Sequence, residues 1–83
     1  MTSPRLSDLP NGQAATVRGV SAPSTGIDAA TLQRLAELGF LPGESVQILR
    51  RGPGGREPIA VQVGETLFAL RLVEAQCVEV VTA

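Results

Sequence analysis

The sequence predicts a mainly β domain: a small five-stranded barrel with one α-helix inserted between strands one and two. Two observations carry this. Nine glycines and six prolines are spaced along 83 residues as punctuation between short apolar segments. Only one stretch has apolar residues at helical spacing; the others alternate at the period of a strand. Residues 1–83 are therefore read as a single domain, since a chain this short has room for one core.

Leu6-Ser7-Asp8-Leu9-Pro10-Asn11-Gly12 reads as an apolar staple and a turn, with Pro10 in the second turn position. Strand one, Gln13 to Val20, puts Ala15, Val17 and Gly19 on one face and Thr16 and Arg18 on the other. Ser21 to Gly26 is a loop. Asp28 is placed to cap a helix from Ala29 to Leu38, whose Leu32, Leu35, Ala36 and Leu38 form a docking face. Gly39 ends it in the left-handed conformation, and Phe40 packs back toward Leu35. A helix of about ten residues does not stand alone, so it must dock on the sheet.

Pro42 and Gly43 fill the centre of a type II turn that launches strand two, Ser45 to Arg51, with Val46 and Ile48 on one face. Gly52 to Glu57 is a flexible hairpin tip. Pro58 opens strand three, in which Ile59, Val61 and Val63 share a side. Gly64-Glu65 fits a two-residue II′ turn. Strand four, Thr66 to Leu72, is apolar on both faces, which predicts a central strand or one covered by the helix. Val73 to Gln76 is a helical turn, and Cys77 to Val81 is strand five. Closing these strands into a barrel would remove exposed edges.

Composition excludes much chemistry. There is no His, Trp or Tyr, a single Cys (Cys77), and seven basic residues that are all Arg. A Ser-His-Asp or Cys-His arrangement, a Schiff-base lysine and a Walker P-loop cannot be built. The chain is read as a non-enzyme with no catalytic, cofactor-binding or metal-ligating residues assigned. A formal charge of −1 argues against a nucleic-acid partner. No apolar segment is long enough to span or insert into a membrane. No signal segment follows Met1, so the expected location is the cytoplasm.

Four separated segments carry a family resemblance. Arg34-Leu35-Ala36-Glu37-Leu38-Gly39-Phe40-Leu41-Pro42-Gly43 resembles the signature of the FeoA family, small proteins associated with bacterial ferrous iron uptake. The likeness continues in Leu6 to Gly12, in Glu57-Pro58-Ile59, and in Ala69-Leu70-Arg71-Leu72-Val73-Glu74-Ala75. The resemblance implies an SH3-like barrel in the cytoplasm, acting beside the membrane permease FeoB, which carries a GTP-binding domain. It also implies similarity to the SH3-like domain of DtxR-type repressors. That similarity frames an alternative reading, a regulatory module that responds to a transition metal.

An SH3-like barrel invites proline-rich ligands, but that mode needs an aromatic-lined groove, and the only aromatics are Phe40 and Phe68. A partner surface is expected instead at the helix ending and turn (Phe40, Leu41, Pro42), the hairpin tip (Arg51, Arg56) and the outward residues of strand four (Phe68, Leu70). Leu49 and Val73 are further apolar candidates. The outward apolar residues also leave room for a homo-oligomer. No cofactor is required by this reading, and Fe, Zn or Mn would bind only weakly or adventitiously to scattered carboxylates.

Overall fold

The computed structural model describes residues 4–23 and 26–82. Met1 to Ser3, where the absence of a signal segment was read, lie outside these residues, as do Ser24 and Thr25 of the first loop. Five strands form one antiparallel sheet: β1 (Ala14–Val20), β2 (Ser45–Arg51), β3 (Ile59–Val63), β4 (Thr66–Leu70) and β5 (Val78–Val81). Helix α1 (Ala29–Leu38) lies between β1 and β2 in the chain, as the sequence predicts. A four-residue helix α2 (Leu72–Ala75) joins β4 to β5, and a 3-10 turn spans Leu6–Asp8.

The strand order is β4-β3-β2-β1-β5, so β4 and β5 are both terminal strands and the sheet is not closed. This corrects two expectations. The barrel does not abolish its edges by closure, and β4 is neither central nor covered. The outer residues of β4, Leu67 and Ala69, are exposed.

Two bulges reset the alternation read from sequence. The β1–β5 register shifts between Val17 and Gly19, so Val20, rather than Gly19, follows Val17 on the inner face opposite Val78. The β2–β3 register shifts between Ile48 and Arg50. Without that shift, Arg50 would share the buried face of Val46 and Ile48. With it, Arg50 sits opposite Ala60 on the outside and Leu49 is left exposed. Bulges also bend the strands that carry them, which curls the five ribbons around one core.

That core is built from the inner faces of the strands (Val17, Val46, Ile48, Ile59, Val61, Leu70, Val78, Val80) together with Leu6, Leu35 and Phe40. Helix α1 begins where Asp28 Oδ1 accepts from the Thr31 amide at 2.9 Å. It ends with Gly39 at φ 117°, the Phe40 amide donating to the Leu35 carbonyl and the Gly39 amide to that of Ala36. Those two bonds are the Schellman pair expected from the sequence. The turn at Leu41–Glu44 is closed by a bond from the Glu44 amide to the Leu41 carbonyl, 3.1 Å. It also docks on β1: the Gly43 amide donates to the Val17 carbonyl and the Val17 amide to that of Glu44. The first turn is displaced by one residue from its prediction: the Gln13 amide reaches the Pro10 carbonyl, making Pro10 the first position.

Candidate partner-binding surface

The β2–β3 hairpin tip is set by a close approach. A side chain at Gly52 would place its Cβ 2.1 Å from the Glu57 carbonyl oxygen, so the loop folds tightly on itself there. Pro53 and Gly54 form the centre of a tight turn at the apex, with Gly54 at φ 75° and the Gly55 amide donating to the Gly52 carbonyl at 2.9 Å. Beneath the tip, Ala60 and Ala69 face each other across β3 and β4, and Arg50 pairs with Ala60 from β2. Two alanines side by side leave a hollow. The result is a cleft of about 570 Å³ with Ala60 and Ala69 as floor, Pro53 and Pro58 as walls, and Arg50 and Arg51 at its margin.

A second cleft of about 550 Å³ lies on the other side of Pro58 and Ala69, and helix α1 contributes Thr31 and Arg34 to it. This one is charged. The Arg34 guanidinium pairs with the Glu74 carboxylate, which also accepts from the Arg71 amide at 2.8 Å. Glu57 reaches across to accept from the Leu72 amide. Most of the polar groups in this cleft are therefore engaged with one another and brace the β4–α2 junction.

The seven residues expected at a partner surface do not form one patch. Phe40 and Leu70 are each 1% exposed, and Phe68 is half-buried with its ring centroid 6.0 Å from that of Phe40. All three belong to the core or pack against it. The reason is register: Phe68 and Leu70 face Val61 and Ile59 across the β3–β4 ladder, on the inner side. Leu41 (47% exposed) and Pro42 are at the surface, but at the start of β2, whereas Arg51 and Arg56 lie at its far end. A strand of this length separates its two ends by about 20 Å.

Arg51 is a bracket. Its Nη2 donates to the Ser7 and Leu9 carbonyls at 3.0 Å each, tying the end of β2 to the N-terminal turn. Arg50 and Arg56 are the exposed cations of the tip. Sequence reasoning left Arg50, Ala60 and Ala69 out of the expected surface. The alternation of β3 put Ala60 outward, but β4 is apolar on both faces, so neither the side that carries Ala69 to the surface nor the bulge that turns Arg50 toward the alanines has a local signal. Among the described residues, no group of three or more Cys, Asp or Glu side chains gathers to hold a metal ion. No helix among them is long and apolar enough to cross a membrane.

The FeoA domain family matches residues 5–82. Among solved structures, the chain is similar to a FeoA from Stenotrophomonas maltophilia, described as a prokaryotic SH3 domain protein complexed with zinc. The identity is 45% over 94% of this chain and 89% of that one, with a TM-score of 0.81. A FeoA protein from Chlorobium tepidum is 32% identical over 93% of this chain and 68% of its own, with a TM-score of 0.76. A manganese-dependent transcriptional repressor in complex with manganese shares the fold at 21% identity and a TM-score of 0.80, over 100% of this chain and 38% of the repressor chain. No curated protein matches the sequence. These likenesses give the five-stranded sheet its class, SH3-like.

Proposed function

The chain belongs to the FeoA domain family, associated with ferrous iron transport, and on that premise we propose that it is an accessory protein acting by contact with a FeoB-like permease. In this reading it does no chemistry of its own. It presents a preformed surface to the permease from the cytoplasmic side and biases the permease's conformation, with a coupling energy of about 1–3 kcal/mol. The observation that carries the proposal is the cleft beneath the hairpin tip: Ala60 and Ala69 line it beside the exposed cation Arg50, and no carboxylate among the described residues joins the lining. Such a site suits an apolar segment flanked by acidic residues.

The test is capture of the GTP-binding portion of FeoB by the purified chain, wild type against Arg50→Glu/Arg56→Glu and, separately, Leu41→Asp. The tip variant should weaken binding roughly tenfold or more, since it places like charges against an acidic partner. Leu41→Asp, at the opposite end of β2, should bind as wild type. Loss only in Leu41→Asp would move the contact to the α1–β2 turn, and full retention by both variants would refute the proposed surface.

A second reading, a metal-responsive regulatory module, is favoured by the zinc complex of the Stenotrophomonas relative and by the fold shared with the manganese-dependent repressor. It predicts stoichiometric, saturable binding of Zn²⁺, Mn²⁺ or Fe²⁺ in calorimetry. Weak, non-saturating heats would set it aside.

A further inference from the structure

The two edges of the sheet are treated differently. The free side of β5 is occupied: Arg5 bridges to Glu79, and the Val80 amide donates to the Pro4 carbonyl at 3.0 Å. The free side of β4 pairs with no strand among the described residues, and no backbone hydrogen bond among them outside the β3–β4 ladder involves Thr66–Leu70. Folded proteins ordinarily blunt such an edge with a charge, a proline or a bulge. Strand β4, Thr-Leu-Phe-Ala-Leu, has neither charge nor proline, and its register with β3 runs without a break from Thr66 to Leu70. Its outward Leu67 is 63% exposed, the most exposed large apolar residue described.

The residues bounding the strand say what fits there. Glu65 precedes it and Arg71 follows it, both exposed. Only one two-fold antiparallel register, centred on Phe68, places Glu65 of each copy opposite Arg71 of the other. That same register sets Leu67 opposite Ala69, large against small on the outer face, and Thr66 opposite Leu70 on the inner face. Moving the centre by a single residue in either direction loses both charge pairs. We propose that β4 pairs with β4 of a second copy of this chain, joining two five-stranded sheets into a continuous ten-stranded one through an edge that is self-complementary in charge and shape. The interface is isologous, as closed two-fold assembly requires.

Sedimentation across a range of protein concentrations tests this, with each variant's thermal melt as a folding control. The wild type should show a concentration-dependent monomer–dimer equilibrium. Glu65→Arg, in an exposed turn, leaves only contacts between arginines across the two-fold and should raise the dimer dissociation constant about tenfold. Arg71→Glu should do the same by leaving only contacts between glutamates. An equimolar mixture of the two single variants should regain dimer. In the mixed pair, both arginines of the Glu65→Arg chain face both glutamates of the Arg71→Glu chain, so opposite charges meet at each end of the strand. The double variant Glu65→Arg/Arg71→Glu, with the charges exchanged within one chain, should dimerise as wild type. A chain that remains monomeric at millimolar concentration, a dimer indifferent to both single substitutions, or a failure of the mixture to re-associate would each overturn the proposal. A β4 edge that instead pairs only with a strand of another protein would appear as the first of these outcomes.

Discussion

Gly39 and Gly52 illustrate two different reasons for the absence of a side chain. Gly39 has φ 117°, a conformation that L-residues avoid, while its would-be Cβ meets nothing closer than Val63 Cγ1 at 4.0 Å. Gly52 has an ordinary φ of −72°, but its Cβ would fall on the Glu57 carbonyl and within 2.8 Å of Pro58 Cδ. Gly39→Ala should therefore cost about 1–2 kcal/mol of backbone strain. Gly52→Ala must separate two backbone segments and should cost about 3 kcal/mol. Urea unfolding of both variants checks the order. Cys77 makes a second residue-level case: it is fully buried, and burial pushes its thiol above the ordinary value. Above the ordinary thiol range the unfolded chain gives up this proton while the native chain keeps it. The stability contribution of the neutral thiol is thus present at lower pH and declines as pH rises from the unfolded toward the native pKa. Labelling with a thiol reagent at neutral pH should be slow for the native protein and immediate in denaturant.

Helix α1 was legible from end to end because everything that bounds it is local. Asp28 Oδ1 also accepts from the Thr31 hydroxyl at 2.8 Å, and these two bonds hold the carboxyl below its ordinary range. The carboxylate's contribution is full above the unfolded pKa and is lost as pH falls through the lower native one. Asp28→Asn should consequently melt below wild type at neutral pH, and the gap should narrow as acid protonates the wild-type side chain. Strand β4 was read two residues too long for the opposite reason. The apolar pattern runs on through Leu72, but the Arg71 amide is taken by Glu74 and the Leu72 amide by Glu57. A carboxylate fifteen positions away in sequence decides where the strand stops, and no window of local pattern contains it.

At the scale of the whole molecule, the N-terminal turn acts as a plug. Leu6 is fully buried and Leu9 nearly so, and Arg51 holds the turn in place through two backbone carbonyls. Removing that guanidinium leaves both acceptors without their charged donor. Arg51→Ala should lower stability by about 2–3 kcal/mol, whereas Arg56→Ala, at the exposed tip, should stay within about 0.5 kcal/mol. Chemical denaturation of the two variants compares them directly. An arginine that looked from its neighbours like part of a basic binding loop is thereby a structural tie, and Arg50 beside it is the outward cation.

What the sequence determined by itself was the set of elements and the inner faces of β2 and β3. Caps, turns and the alternation of Val46, Ile48, Ile59, Val61 and Val63 depend on residues a few positions apart, and each such short-range preference is written where it acts. The tertiary structure alone decided which strands lie at the margins, where two bulges shift the alternation, and which side of β4 meets water. Those outcomes depend on how distant strands fill one volume together: Phe68 and Leu70 turn inward because Val61, Ile59 and Phe40 leave space for them there, and Leu67 and Ala69 are outside as a consequence.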